Sequence, residues 1–401
     1  MASNTHSRFT GLILISGEES PLVAHTLFET LAPFAVKTLD IKDISLRGRI
    51  ILMAHIELDP AHAEAIEADL LVMSEKLGID VAVDYQESDP GISARMHSAR
   101  VVVLAPSLSP KIFFEVSVAL RNHSGHIASM RKLSTEPFTA FELTIHFDEI
   151  INDIEPVRRE LAQLSISQKI DICIEESTLD RSARRFVLLD MDSTLIQQEV
   201  IDLLAAKAGV QSEVAAITER AMAGELDFEA SLKERVHALT GLSESAISEV
   251  AKEIRLSHGA EILIDSLHKL GHLVGVVSGG FTNVIAPILE TLEVDFYRAN
   301  TLEIVDGKLT GKVVGKIIDR AAKSDALKEF AQQQGIPLAH TIAIGDGAND
   351  LDMVETAGLG VAYNAKAALR EKADTSISVP NLDALLYLMG YDRSEIEATS
   401  L

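Results

Sequence analysis

Two aspartates at the end of a short apolar run are the residues of this chain best suited to chemistry. Residues 186–194 read FVLLDMDST, so four apolar residues lead into Asp190, and Asp192 follows two positions later. Two carboxylates this close repel each other, and a bound cation relieves that repulsion. The pair therefore predicts a cation-assisted site, although the same residues would also suit a simple strand-to-turn transition.

Two later apolar runs end in small or acidic polar residues in the same way. Residues 272–278 (HLVGVVS) run into a Gly-Gly pair, and residues 341–346 (TIAIGD) continue as GAND. Runs without alternation are typical of strands buried on both faces of a parallel sheet. Ligands bind outside the carboxyl ends of such strands, so we expect the three clusters to meet in one crevice. Taken alone, Asp346 and Asp350 suit an Asx-rich turn about as well as a metal site.

The segments between these runs predict the helices that position them. Ser193 or Thr194 is expected to cap the helix that follows Asp192, and Ser324 a later helix that begins just after Lys323. Residues 210–258 read as several helices with no strand candidate, which predicts a helical cap over the mouth of the site.

The first half of the chain repeats one order of elements. Strand, helix, strand, strand, helix and strand begin near Arg8, and the same order begins again near Ala99. Such a split βαβ arrangement forms a small antiparallel sheet with two helices on one face. Neither copy carries a cluster of catalytic residue types, so both could also be purely structural.

Composition narrows the class of protein. The 401 residues are 47% hydrophobic and 24% charged, which is ordinary for a globular chain of two or more domains. A formal net charge of -24 argues against nucleic acid or an anionic membrane as partner. The single cysteine, Cys173, excludes an intramolecular disulfide and suggests a reducing compartment. With no signal-peptide pattern and no apolar run near ~20 residues, we expect a cytoplasmic protein.

Four motifs follow one another along the chain: Asp-x-Asp-Ser-Thr, Ser-Gly-Gly, Lys, and Gly-Asp-Gly-x-Asn-Asp. Their order resembles that of the haloacid-dehalogenase superfamily of phosphatases. Within this superfamily, the chain is similar to the subgroup that acts on phosphoserine. The segments that carry this similarity are DMDSTLIQQEVID, ITERAMAGELDFEASLKERV, VVSGGF and GDGANDLDM. The two N-terminal copies resemble ACT domains, regulatory modules that often bind amino acids, and GEESP partly matches their first loop. The resemblance implies an α/β protein with a Rossmann-like core, a parallel sheet flanked by helices, under a helical cap. Two ferredoxin-like βαββαβ domains would precede it. The expected ranges are 1–90 for the first ACT-like domain, 97–178 for the second and 183–401 for the phosphatase domain, with the cap at about 199–258.

The resemblance also implies the site. Asp190 would attack phosphorus, Asp192 would act as general acid and base, and Mg²⁺ would bind the Asp190 carboxylate, the Asp192 carbonyl and Asp346. The phosphate is expected to contact Ser278, Gly279, Lys323 and Asn349. Asp350 is expected to fix Lys323 or metal-bound water. The serine end of the substrate is expected to contact Glu199, Arg235, Met222 and Phe228.

The function implied is Mg²⁺-dependent hydrolysis of O-phospho-L-serine through an aspartyl-phosphate, as the last step of serine biosynthesis. An amino acid such as L-serine would regulate it at the ACT domains, and a homodimer is expected from their habit of pairing. Two alternatives stay open at this point: a phosphatase or phosphotransferase for another small phosphomonoester, and a non-catalytic amino-acid sensor on a phosphatase scaffold.

Overall fold

The structure is a computed structural model, and it describes residues 8–88, 97–148, 153–176 and 183–399. The chain divides into two compact units, Met1–Arg95 and Met96–Leu401. In the described ranges, no helix combines the length and the apolar character that crossing a bilayer requires.

The first module, residues 8–88, is a four-stranded antiparallel sheet with two helices. Its elements are β1 Arg8–Glu18, α1 Leu22–Leu31, β2 Lys37–Leu46, β3 Arg49–Glu57, α2 Ala63–Leu77 and β4 Asp80–Ser88. The strand order is β2-β3-β1-β4. Along β1, Ile13 and Ile15 are buried with Ile66 and Leu70 of α2, whereas Leu14 between them is 39% exposed. The helices therefore cover one face of the sheet, and the opposite face remains accessible.

The second module, residues 97–176, repeats this fold, as the duplicated pattern predicts. Its elements are β5 His97–Ala105, α3 Pro110–Arg121, β6 Gly125–Ser134, β7 Thr139–Phe147, α4 Glu155–Gln168 and β8 Asp171–Glu176, in the strand order β6-β7-β5-β8. The likeness extends to single hydrogen bonds. Ser74 Oγ donates to the Ile79 carbonyl at 2.6 Å, and Ser165 Oγ donates to the Ile170 carbonyl at 2.6 Å. Both copies thus turn from the second helix into the last strand in the same way.

The remaining residues form an α/β domain around a seven-stranded sheet. Its strands are β9 Phe186–Asp190, β10 Leu273–Phe281, β11 Phe296–Val305, β12 Lys308–Val314, β13 Thr341–Gly345, β14 Leu359–Tyr363 and β15 Thr375–Ile377. They lie in the order β12-β11-β10-β9-β13-β14-β15, and only the pairing of β12 is antiparallel. All five residues of β9 are buried, because β9 is the central strand and helices cover both faces. The predicted Rossmann-like core is confirmed.

In the connection from β9 to β10, the first four helices form a separate unit: α5 Val200–Ala208, α6 Gln211–Met222, α7 Phe228–Ala238 and α8 Glu244–Glu253. Their apolar sides meet around Val214, Leu232 and Val250, which are all buried. The two connections to the sheet run side by side, since Ile196 pairs with Leu256. This is the helical cap.

Seven further helices flank the sheet or follow it: α9 Ala260–Lys269, α10 Thr282–Thr291, α11 Arg320–Gln333, α12 Leu351–Thr356, α13 Ala367–Arg370, α14 Ala384–Leu388 and α15 Arg393–Thr399. Two predicted helix caps are wrong. Helix α11 begins at Arg320 with Asp319 as N-cap, so Lys323 and Ser324 lie inside it and are buried. The capping role expected of Ser193 or Thr194 belongs to Asp192, whose Oδ1 accepts a hydrogen bond from the Val200 N–H at 3.0 Å.

The second module packs against the α/β domain through the outer face of its sheet. Phe138 meets Tyr387 edge to face at 5.2 Å between ring centroids. Asp171 Oδ1 accepts from Ser376 Oγ at 2.8 Å, and Asp171 Oδ2 accepts from the Ser378 N–H at 2.7 Å. Because Asp171 is 1% exposed, these bonds replace its lost hydration, and the second module and the α/β domain share a buried interface.

Candidate active site

Three neighbouring strands of the α/β domain end at the same edge of the sheet. Asp190 is the last residue of β9, Ser278 lies near the end of β10, and Asp346 directly follows β13. These strands are adjacent in the order β10-β9-β13, so the three residues share one crevice. The convergence expected from the apolar runs is what the parallel sheet produces.

A buried ion-pair triad forms the floor of this crevice. The Lys323 ammonium donates to Asp190 Oδ1 and to Asp350 Oδ1, each at 2.6 Å, and its side chain is 1% exposed. Burial lowers the pKa of Lys323, but the two carboxylates outweigh burial and raise it above its ordinary value. Burial first, and then Asp350, raise the pKa of Asp190 in spite of Lys323. One ammonium group thus contacts two carboxylates away from solvent, and its single charge offsets only one of them.

Asp350 is held in place by the loop that carries Asp346. Its Oδ2 accepts hydrogen bonds from the backbone N–H groups of Asp346 at 3.2 Å and Gly347 at 3.1 Å. A Cβ at Gly345 would lie 2.4 Å from Asp350 Cγ, so only glycine allows the carboxylate to approach the strand end this closely. Both oxygens of Asp350 therefore already have partners.

Oxygen atoms of Asp190, Asp346 and Asp350 lie within 4.8 Å of one another, a spacing that one cation could bridge. Carboxylate oxygens are the ligands that a hard divalent cation such as Mg²⁺ prefers. Since Asp350 already accepts three hydrogen bonds, Asp190 and Asp346 have the oxygens that are more available to an ion. Burial first, and then Asp350, raise the pKa of Asp346 to about 6, which is the electrostatic strain that a cation would relieve.

Asp192 lies at the wall of the crevice and is half-buried. Burial first, and then the nearby Glu199 carboxylate, raise its pKa to about 7, although the hydrogen bond from Val200 opposes the shift. A Cβ at Gly280 would lie 3.0 Å from Asp192 Oδ2, so the glycine leaves the space that this carboxylate occupies. A carboxyl group that titrates near neutrality can both give and take a proton.

The loop at the end of β10 is fixed by hydrogen bonds of its own. Ser278 is fully buried, and its Oγ accepts from the Gly280 N–H at 2.8 Å. Asn300 Nδ2 donates to the Gly279 carbonyl at 2.8 Å, and Asn300 Oδ1 accepts from the Ile318 N–H at 2.9 Å. Asn300 thus joins the Gly279 loop to the segment that leads into the helix of Lys323.

A cavity of about 700 Å³ opens above this floor, between the sheet edge and the cap. From the core it is lined by Asp190, Asp192, Gly279, Asp346, Asn349 and Lys366, and from the cap side by Glu199, Asp202, Phe228 and Arg235, among others. The Phe228 ring reaches the core, since a Cβ at Gly279 would lie 3.3 Å from its Cζ. The cap therefore closes over the crevice.

Arg235 is the cationic group of the cap wall. Its Nε donates weakly to the Ser231 carbonyl at 3.4 Å, and its other guanidinium nitrogens have no partner among the described residues. Burial lowers its pKa, while Glu199, Asp202 and Asp192 act in the opposite direction. A partly buried guanidinium without an ion pair is suited to an anionic ligand group.

The structure brings together most of the residues singled out from the sequence. Ser278, Lys323 and Asp350 lie beneath the cavity wall rather than on it, and the side chain of Met222 lies outside the described part of the chain. Three residues at the site were missed: Asp202, Lys366 and Asn300. Asp202 follows Glu199 by three positions on one helical face, a signal that could have found it. Neither of the other two lies in a recognisable motif.

The chain is similar to known proteins over nearly its whole length. A family profile described as haloacid dehalogenase-like hydrolase matches residues 187–355, and ACT domain profiles match residues 10–84 and 97–175. A phosphoserine phosphatase of Streptomyces coelicolor is 44% identical over 99% of this chain and 96% of its own length. One from Mycobacterium tuberculosis is 42% identical over 96% of this chain and 94% of its own length. A crystal structure of a probable phosphoserine phosphatase from Vibrio cholerae superposes with a TM-score of 0.58 at 35% identity, covering 75% of this chain and 88% of that one.

Proposed function

Because the chain belongs to the phosphoserine phosphatases, which are haloacid dehalogenase-like hydrolases, we propose that it hydrolyses O-phospho-L-serine to L-serine and phosphate. It is a phosphoric monoester hydrolase with two N-terminal ACT domains. The observation that carries the proposal is the cavity itself. Asp190, Asp192 and Asp346 line it from the core, with Lys323 buried behind Asp190, while its cap side carries the Arg235 guanidinium and the carboxylates of Glu199 and Asp202.

The proposed reaction proceeds in two steps at Asp190. Its carboxylate attacks phosphorus and forms an aspartyl-phosphate, while Asp192 protonates the departing serine oxygen. Asp192 then takes a proton from the water that hydrolyses the intermediate. Lys323 donates to the Asp190 carboxylate and favours its ionised form against the effects of burial and of Asp350, and Asp350 fixes Lys323 from the other side. Bound at Asp190, Asp346 and the Asp192 carbonyl, Mg²⁺ would neutralise negative charge on the phosphoryl oxygens.

The chain's own groups account for substrate binding in this proposal. The Gly279 N–H, Ser278 and Asn349 contact phosphoryl oxygens, and Lys323 has a third N–H donor left for them. At the other end, Arg235 pairs with the substrate carboxylate, and Glu199, with Asp202 beside it, receives the ammonium. Phe228 and Met222 form the apolar wall.

Phosphate release from phosphoserine in the presence and absence of Mg²⁺ is the direct test. Asp190→Asn keeps the size of the side chain but removes the nucleophile, so we expect kcat to fall at least about a thousandfold. Chelation of Mg²⁺ is expected to abolish turnover. A wild-type chain that releases no phosphate with Mg²⁺ present would overturn the proposal.

Arg235→Ala separates phosphoserine from other phosphomonoesters. Losing a charge-assisted hydrogen bond is expected to raise KM for phosphoserine by about tenfold or more, with little change for p-nitrophenyl phosphate. Arg220→Ala is the matched control, because Arg220 is an exposed arginine of the neighbouring helix, paired with Glu225 and Glu234. Equal effects on the two substrates would remove the amino-acid specificity but not the phosphatase.

Three further points belong to the same proposal. The reaction is the last step of serine biosynthesis, and the lone thiol suits the reducing cytoplasm. An amino acid such as L-serine binds the ACT domains and regulates turnover. Equilibrium dialysis tests the binding by comparing the amount of L-serine bound by the full chain and by a chain that starts at residue 97. The chain forms a homodimer, and the exposed Leu14 and Ile51 of the first module support this. Light scattering gives the mass directly, and a monomer at micromolar concentration would contradict it.

A further inference from the structure

The cavity contains more negative than positive side chains, although its proposed substrate is an anion. Five carboxylates line it, from Asp190, Asp192, Glu199, Asp202 and Asp346. Two cationic side chains line it, Arg235 on the cap and Lys366 on the core. A doubly charged phosphate that approaches through this mouth is repelled unless cations on the core side compensate, and the Mg²⁺ proposed at Asp190 and Asp346 offsets only part of the five negative charges.

Lys323 contributes little to that approach. Two of its three N–H donors are engaged by Asp190 and Asp350 at 2.6 Å, and the side chain is 1% exposed. Its charge is therefore largely balanced before any substrate arrives. Arg235 lies on the cap, where the negative charges of Glu199, Asp202 and Asp192 attract its guanidinium.

Lys366 is the remaining cation, and the fold holds its backbone at the site. It follows β14, the strand next to β13, and its N–H donates to the Asp346 carbonyl at 3.1 Å. Its side chain is exposed and has no ion-pair partner among the residues that the structure describes. A solvated lysine with a fixed backbone and an unpaired ammonium at a cavity rim can bind an anion without first breaking another contact.

We propose that the Lys366 ammonium binds the phosphate group of the substrate, and of the inorganic phosphate product, from the solvent side of the cavity. The proposal rests on the phosphatase function proposed above and adds a residue to its phosphate site. An exposed charge pair is modest in strength, so the expected effect of losing it is about five- to tenfold in affinity. The chemical step itself involves Asp190 and Asp192 and is not expected to change.

Lys366→Gln tests this against Lys372→Gln. Lys372 lies in the same segment, is exposed and pairs with Glu355 at 3.8 Å, and it does not line the cavity, so the control removes the same charge without touching the site. For Lys366→Gln we expect KM for phosphoserine and for p-nitrophenyl phosphate, and the inhibition constant of inorganic phosphate, to rise together about five- to tenfold. We expect kcat to stay within about twofold, and Lys366→Arg to restore KM.

Three results would overturn the assignment. Lys366→Gln could behave like Lys372→Gln, which would make Lys366 an ordinary surface lysine. KM could rise for phosphoserine alone, which would assign Lys366 to the substrate carboxylate. Otherwise kcat could fall at constant KM, which would mean that Lys366 only supports the Asp346 loop. Calorimetric titration with inorganic phosphate in Mg²⁺ buffer gives the same comparison without turnover, so a failure of hydrolysis and a failure of this assignment remain distinguishable.

Discussion

The two ACT domains have the same fold but use the outer face of the sheet in opposite ways. The registers of β1 with β4 and of β5 with β8 make Leu14 equivalent to Val102 and Asp80 equivalent to Asp171. Leu14 is 39% exposed and Asp80 is exposed, whereas Val102 and Asp171 are each 1% exposed. In the second domain this face packs on the α/β domain and belongs to the same hydrophobic core. The buried apolar residues of the first domain form a core of their own.

The difference shows that the fold of a module does not decide which of its faces is buried. The buried face of the second domain even carries charge, since Arg100 contacts Glu142 and Glu175 and is 7% exposed. The sequence would predict that a sheet face with these three charged residues, on β5, β7 and β8, is exposed to solvent. Because Arg131 also contacts Glu142 and Arg185 also contacts Glu175, the two glutamates are compensated by more than one cation, and the face can be buried.

Truncation tests this comparison most strongly. A chain starting at residue 97 is expected to stay folded and active, because the core of the first domain is drawn from its own residues. A chain starting at residue 183 loses Val102, Leu104 and Phe138 from the shared core and is expected to aggregate or to melt well below the longer form. Circular dichroism and gel filtration compare the two, and equal melting temperatures would show that the interface contributes nothing.

Phe138→Ala removes a fully buried aromatic side chain of this interface. We expect a loss of about 3–5 kcal/mol in the free energy of unfolding, because a fully buried phenylalanine leaves a cavity. Leu14→Ala on the exposed face of the first domain is expected to change it by under about 1 kcal/mol. Urea unfolding followed by circular dichroism measures both, and similar losses would contradict the comparison.

Cys173 reports on the same interface by its reactivity. Burial raises its pKa to about 12, and at 2% exposure a thiol reagent at pH 8 is expected to react very slowly. Ala82 is the equivalent position of the first domain and is exposed. In a Cys173→Ala background, Ala82→Cys is therefore expected to react at least about a hundredfold faster. Comparable rates would mean that the interface opens readily.

Asp171→Ala is the mildest of these changes. It leaves the Ser376 hydroxyl and the Ser378 N–H without their acceptor and is expected to cost about 1–3 kcal/mol, whereas Asp80→Ala is expected to be nearly neutral. Burial raises the pKa of Asp171, so the folded chain holds a proton where the unfolded chain has lost it. The stability contributed by Asp171 falls as pH rises through this window. The Asp171→Ala loss is therefore expected to be larger at acid than at neutral pH, and a pH-independent loss would contradict this.

Much of the α/β domain was predictable because buried parallel strands leave a strong local signal. The unalternating runs before Asp190 and Asp346 identified β9 and β13, and the helix-rich segment that follows β9 identified the cap. The roles assigned to Glu199, Arg235 and Phe228 came from family resemblance, since nothing in their local pattern distinguishes them from surface or core residues. Lys323 was expected at a helix start, where a lysine is solvated, yet it is the buried centre of the site.

The sequence alone determined the strands, the repeated module and the set of carboxylates, because periodicity and motif spacing act over a few neighbouring residues. Only the tertiary structure decided which groups meet. Lys323 is buried because strands far apart in the chain bring Asp190 and Asp350 to either side of it, and Lys366 reaches the cavity because β14 lies beside β13. The outer face of the second ACT sheet is buried because it packs on the α/β domain, and the module's own fold does not determine this.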